Sequence, residues 1–185
     1  MSQRTCFHST YTKYCTKCHA LEPIDIIVGL DCDGSFDSNK LVADVINANK
    51  KDESIPRKCK FCDSNCTIIL DDNIAPLVAV LNKKGYKTKY SCEGHISSDR
   101  RWQPYYFSTP YVSLVSSIPV GIFDNIPDGW YVEWNKTKHR EKYGFGLSIR
   151  YLDTNAKSIE ESIKFDKDAI MKWADNLPCN DKEDK

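Results

Sequence analysis

The chain has 185 residues, 41% of them hydrophobic and 28% charged, with 7 Phe, 10 Tyr and 4 Trp; this is enough for one substantial core, or for one core with a small metal-bound appendage. Its 26 Lys+Arg balance 26 Asp+Glu, and a formal net charge of +0 lacks the basic footprint of a general duplex-binding protein. The opening "MSQRTCFHST" has no apolar signal core and no apolar run reaches membrane-spanning length, so a cytoplasmic location is expected. In that reducing setting nine cysteines, an odd number, point to metal ligation or burial rather than to a disulfide framework.

Within residues 1–35 the apolar run "IDIIVGL" reads as a buried strand, and the stretch before it shows little amphipathic order; Cys6-x-His8 is assigned to a loosely ordered N-terminus. "DSNKLVADVINANKK" reads as a helix, with Leu41, Val42, Val45 and Ile46 on one face and Asp37 or Ser38 as cap. Pro56 ends that unit, and "PRKCKFCDSNC" follows as a cysteine-rich turn. "DDNIAPLVAVLNKKGY" gives the cleanest helix: Ile74, Leu77, Val78 and Leu81 share a face, Asp72 or Asn73 caps it, Pro76 falls in its first turn and Gly85 stops it.

Beyond Gly85 the period changes to two. Tyr86, Thr88 and Tyr90 mark one strand and "YVSLV" another, while "GWYVEW" and "KYGFGLSIRYL" form a hairpin. In the last of these Tyr143, Phe145, Leu147, Ile149 and Tyr151 face one way, and Gly144, Gly146 and Ser148 leave the other face nearly bare. A helix carrying Ile170, Trp173, Ala174 and Leu177 closes the fold. The expected class is α+β, a mixed or antiparallel sheet packed by two or three helices, with a zinc-ribbon-like pair of knuckles, four cysteines in all, near the N-terminus. The expected division is a zinc-binding region over 1–70 with an inserted strand and helix, an α+β core over 71–178, and a disordered tail over 179–185.

The strongest chemical signal is Cys15-x2-Cys18 with Cys59-x2-Cys62. Two such knuckles supply four thiolates, the soft tetrahedral set that structural Zn2+ prefers, and the flanking lysines favour the thiolate form. Cys66 and His19 are the spare ligands. "CTKCH" also matches a haem-attachment pattern, which the expected location disfavours. "IIVGLDCDGS" resembles the haloacid-dehalogenase nucleophile motif, which would make Asp31 the nucleophile and Asp33 the acid/base, with Asp71 and Asp72 as the late acidic pair. A turn followed by helix caps accounts for all four without the doubly wound sheet that motif requires. Cys92 and His95 could touch as a catalytic pair, but nothing in the sequence orients the base.

The segment "DDNIAPLVAVLNKKGYKTKYSCEGHI" resembles a set of small proteins from phages and mobile elements of Gram-positive bacteria. Over the same 25 or so residues it is distantly similar to the wybutosine-type tRNA methyltransferases, whose turn reads Ser-Cys-Ser-Gly-Arg where this chain has Ser91, Cys92, Glu93, Gly94 and His95. The turn offers a hydroxyl, a glycine that admits a ligand near backbone N–H groups, and a titratable imidazole. Arg100, Arg101 and Trp102 follow it, "WNKTKHREK" places Arg140 among further cations, and Trp130 and Trp134 share a strand face.

The expectation is a zinc-stabilised protein that binds rather than catalyses, its ligand small and phosphorylated or nucleotide-like, with phage-encoded sequestration or anti-defence as the role. Ser91, Glu93 and His95 would read polar edges beside Gly94; Arg100, Arg101 and Arg140 would hold phosphate, and Trp102 or Trp130 would stack. The competing expectations are an S-adenosylmethionine-dependent RNA methyltransferase, implied by the resemblance, and a zinc-ribbon adaptor that binds nucleic acid or the transcription machinery.

Overall fold

The computed structural model describes residues 6–29, 58–97, 106–115, 121, 123–135 and 146–180. The helix expected over 37–51 lies outside them. The chain divides into two units, Met1–Asp72 with Ser97–Tyr106, and Asn73–Ile96 with Phe107–Lys185.

In the first unit β1 (Cys6–Cys15) is flanked by β2 (Leu21–Gly29) and β3 (Thr67–Asp71), both antiparallel to it, in the order β2-β1-β3. β1 is a strand of ten residues where the sequence suggested loose order. Its central position explains why alternation is absent there: Thr12 and Lys13, on opposite faces, are 9% and 5% exposed, so neither face carries a simple apolar stripe. Thr12 donates its hydroxyl to the Asp72 carboxylate at 2.6 Å. Lys13 is held by the Glu22 carboxylate at 2.9 Å and donates to the Lys58 carbonyl at 3.3 Å.

In the second unit α1 (Ala75–Lys83) buries Ala75, Leu77, Val78, Ala79 and Leu81, the face its apolar spacing predicts. Its N-cap differs from expectation. Ile74 occupies the cap position with no side-chain bond, because Asp72 is engaged by Thr12, and the Glu93 carboxylate accepts the Asn73 N–H at 3.0 Å instead. Gly85 ends the helix with φ +85, and a Cβ there would run into the Asn180 carbonyl. The C-terminal segment is latched at the same point: Asn180 N–H donates to the Lys84 carbonyl at 2.7 Å, and Tyr86 Oη donates to the Pro178 carbonyl at 2.7 Å.

β4 (Thr88–Cys92), β7 (Tyr111–Leu114), β8 (Trp130–Asn135) and β9 (Gly146–Tyr151) form an antiparallel sheet in the order β4-β7-β9-β8, with a bulge between Thr88 and Tyr90. β5 (His95–Ser97) and β6 (Tyr106–Ser108) pair as a two-stranded sheet. A short helix α2 (Ile159–Ser162) is capped by Ser158, and α3 (Lys167–Asn176) by Asp166, whose carboxylate accepts from the Asp168 and Ala169 N–H groups.

Val112, Leu114, Leu147, Ile149, Trp130 and Tyr151 are buried on one face of the sheet and form the core with the inward faces of α1 and α3, including Ile170 and Trp173. The α+β class follows from these antiparallel sheets and the helices that pack with one of them. No helix among the described residues is long and apolar enough to cross a membrane.

Candidate metal centre

Two tight turns project the four cysteines. In the first, Cys15 N–H donates to the Ala20 carbonyl at 3.0 Å and His19 N–H to the Cys15 carbonyl at 2.9 Å. In the second, Cys59 N–H donates to the Ser64 carbonyl at 2.8 Å and Asp63 N–H to the Cys59 carbonyl at 2.9 Å. The same two bonds at the same offsets make the turns copies of one another. Each has a left-handed residue directly after its second cysteine, His19 at φ 59 and Asp63 at φ 53. His and Asp are among the non-glycine types that tolerate this conformation best.

The turns place the sulfurs of Cys15, Cys18, Cys59 and Cys62 within 4.8 Å of one another. Cys15 Sγ lies 3.7 Å from Cys62 Sγ, and Cys18 Sγ 3.5 Å from Cys59 Sγ. A tetrahedral ion with metal–sulfur bonds of about 2.3 Å sets its sulfurs about 3.8 Å apart, close to these separations and far from a disulfide. All four thiols are free.

The electrostatics call for a cation. Burial pushes the Cys15 thiol up, but the Ser64 hydroxyl and the Cys18 and Lys17 amides stabilise its thiolate more and bring it to about 6. Cys62 is lowered as well, chiefly by the Ser64 side chain. The Ala20 amide favours a thiolate at Cys18, yet burial and proton sharing with Cys59, Cys62 and Cys15 push it up to about 12. Sulfurs this close disfavour one another's ionisation, which a cation among them would relieve. A metal ion would supply that charge, and four thiolates would saturate a tetrahedron.

The surroundings hold the second turn in place. Glu22 accepts from Lys13 at 2.9 Å and from Lys60 at 3.4 Å, so one carboxylate ties β1 to the residue after Cys59. Pairing with Lys13 keeps its carboxyl below the usual range. The spare ligands stand outside the cluster: His19 Nδ1 is hydrogen-bonded to Tyr14 Oη at 2.6 Å, and Cys66 is exposed.

The ligand residues named from sequence are distributed differently. Ser91 is aligned with Val112, so it shares the core face of β4, whereas Tyr90 and Cys92 point to the other. Glu93 caps α1. Gly94 has φ +89, and the close neighbour its missing Cβ admits is Pro110, whose Cδ lies 2.8 Å from the Cβ position. Trp130 is 5% exposed, with Phe165 at 5.2 Å and Tyr151 at 5.5 Å between ring centroids, so its ring serves the core. His95 begins β5. Arg100, Arg101, Trp102 and Arg140 lie outside the described residues. Cys92 is half-buried, its sulfur 3.4 Å from the Gly94 amide and 3.6 Å from Ser108 Oγ. A cavity of about 490 Å³ lies against α3, lined by residues that include Asp124, Asn125, Lys172, Trp173 and Asn176, and by none of the ligand residues expected from sequence.

Sequence reading missed three side chains of the sheet's other face: Tyr111, Tyr131 and Arg150. Arg150 lies over the Tyr111 ring, 4.9 Å from its centroid, donates through Nη1 to Thr109 Oγ1 at 3.3 Å and pairs with Glu133. The period of two in "GWYVEW" was the available signal, since it sets Tyr131 and Glu133 opposite the core-facing tryptophan. No family model, curated protein or solved structure matches this chain, so what the site does rests on its own residues.

Proposed function

We propose that this chain is a cytoplasmic binding protein built around one structural Zn2+ held by Cys15, Cys18, Cys59 and Cys62. The observation that carries the reading is the cluster of four sulfurs within 4.8 Å, borne by two matched turns. Four thiolates leave no open position for water or substrate, which separates a structural centre from a catalytic one. Thiolate-only coordination suits Zn2+ or an iron–sulfur cluster, and metal analysis distinguishes them. Native mass spectrometry is expected to show one Zn2+ per chain, lost in Cys18→Ser and after chelation. A metal-free native mass, or iron in place of zinc, would falsify the assignment.

The ligand we assign to the second unit is nucleotide-like or otherwise phosphorylated, and sequestration is a role that requires no catalytic group. Its support is the Arg150 guanidinium lying over the Tyr111 ring, a cation–ring pair suited to a planar molecule such as a base. Mass spectrometry of co-purifying small molecules and thermal shifts across a nucleotide panel test it; no bound nucleotide and no shift would remove the ligand while leaving the metal centre. Including S-adenosylmethionine in the panel tests the methyltransferase alternative.

One observation favours a second reading. Phe61, at the tip of the second turn, is 62% exposed with Lys60 Nζ 5.2 Å from its ring centroid. A zinc-ribbon adaptor would use such a tip to dock on nucleic acid or the transcription machinery. Phe61→Ala abolishes that docking in this reading and leaves nucleotide-induced thermal shifts unchanged in the first.

A further inference from the structure

The four-stranded sheet has a second face, and its register arranges that face into two rows. Cys92 is aligned with Tyr111, Tyr111 with Arg150, and Arg150 with Tyr131, so one row crosses all four strands. The neighbouring row runs Tyr90, Ser113, Ser148, Glu133. Aligned residues of antiparallel strands project to the same side. The contacts agree: Ser113 and Ser148 hydroxyls lie 2.8 Å apart, Arg150 covers Tyr111, and Glu133 pairs diagonally with Arg150. None of these eight residues is aliphatic, whereas the opposite face carries Val112, Leu114, Leu147 and Ile149.

Tyr90 is 61% and Tyr131 39% exposed, unusual for rings on a sheet that has already built its core elsewhere. They stand on the two outer strands. Three strand spacings with a two-residue offset separate them by about 16 Å. A single base cannot cover both. Between them lies a guanidinium already stacked on a ring and fixed by Glu133 and Thr109, and outside Tyr90 sits Lys89 Nζ, 5.3 Å from its ring centroid.

We propose that this face binds unpaired bases of a single-stranded nucleic acid, with the exposed Tyr90 and Tyr131 rings as its two stacking platforms. The proposal rests on the nucleotide-like ligand assigned above and deepens it to an oligonucleotide of at least two bases. Flat aromatic surfaces receive bases without regard to sequence. A protein partner is less well matched, because the face offers no aliphatic centre for a dry interface core. A duplex is excluded on chemistry: its bases are already stacked, and the Arg150–Glu133 pair leaves little net charge for its phosphates.

The test uses the full metal-loaded chain and fluorescein-labelled oligothymidylate and oligouridylate of twelve nucleotides, read by anisotropy. Expected are binding of the single strands, at least tenfold weaker binding of a duplex of equal length, and a salt dependence equivalent to about one or two phosphate contacts. Tyr131→Leu and Tyr90→Leu each weaken binding about fivefold to a hundredfold, while Tyr131→Phe and Tyr90→Phe retain it, since the ring and not the hydroxyl stacks. Both positions are exposed, and unchanged melting of the variants separates lost stacking from lost fold. Binding indifferent to the leucine substitutions, duplex preference, or a mononucleotide that competes as well as the oligomer would each overturn the proposal. Nucleotide-induced thermal shifts without oligonucleotide binding would overturn it and leave the simpler ligand reading standing.

Discussion

The first unit buries Tyr14, Cys15 and Cys59 as its core among the described residues, beside the polar Thr12 and Lys13; the second buries Ile74, Leu77, Val78, Leu81, Tyr86, Val112, Leu114, Trp130, Leu147, Ile149 and more. The second unit removes apolar surface from water in the ordinary way. Of the three buried apolar side chains described in the first, two, Cys15 and Cys59, belong to the cysteine cluster that could hold a metal ion. With the proposed ion bound there, its binding free energy would be folding free energy for this unit.

The largest expected effect breaks the comparison outright. Chelation, or Cys59→Ser, is expected to remove a contribution on the order of 10 kcal/mol, as for structural zinc generally. Hydrogen exchange reads it: amides of β1, β2 and β3 lose protection, while those of β7 and β9 keep theirs. Equal loss in both units would show that the second also depends on the ion.

A core truncation is the converse experiment. Ile149 is fully buried at the centre of the four-stranded sheet, and Ile149→Ala is expected to cost about 3 kcal/mol through lost transfer energy and the cavity left behind. Denaturant unfolding measures the loss. Metal stoichiometry at neutral pH should not change, and a variant that also lost its ion would tie the two units' stabilities together.

How much of this was legible depended on whether the signal was local. The knuckle spacing, α1 with its glycine stop, and the core-facing alternation of β9 could be read because each is set by neighbours in sequence. β1 could not, since Thr12 and Lys13 are buried by partners at Asp72, Glu22 and Lys58 that only the fold supplies. The cap of α1 was misplaced for the same reason: Thr12 takes Asp72, and Glu93, twenty residues further along, accepts from the Asn73 N–H. At Gly94 the need for close approach was sound, but Pro110 fills the space. Of the tyrosine–arginine face only the alternation in "GWYVEW" was local; the row itself is assembled from four strands that no local pattern connects.

The third test sharpens what the metal unit owes to its surroundings. Glu22→Gln leaves the Lys13 ammonium, 5% exposed, without its carboxylate; because Glu22 itself is 22% exposed, the cost should be about 2 kcal/mol, below that of breaking a fully buried pair. Its pH dependence has a definite sign. Hydrogen bonding to Lys13 lowers the folded carboxyl, so the pair stabilises above the unfolded value of about 4.3 and is lost only as pH falls through the lower folded value. Between about pH 6 and about pH 8 the variant's penalty is therefore flat, while metal affinity itself weakens with falling pH as protons compete for the thiolates. A penalty that varied across that window would assign the effect to the cysteines instead.

The smallest effect returns to the second unit. Asp166 accepts from Asp168 and Ala169 N–H groups at 2.9 and 3.1 Å, satisfying two of the orphan donors at the start of α3. Asp166→Ala should cost about 1 kcal/mol, and Asp166→Asn much less, because an amide oxygen still accepts. The loss should appear as fraying of the first turn of α3 in hydrogen exchange with the metal content unchanged. Were the asparagine variant as unstable as the alanine one, charge at the helix terminus would outweigh the hydrogen bonds, and the cap would belong with the electrostatic devices of the metal unit rather than with the packing of its own.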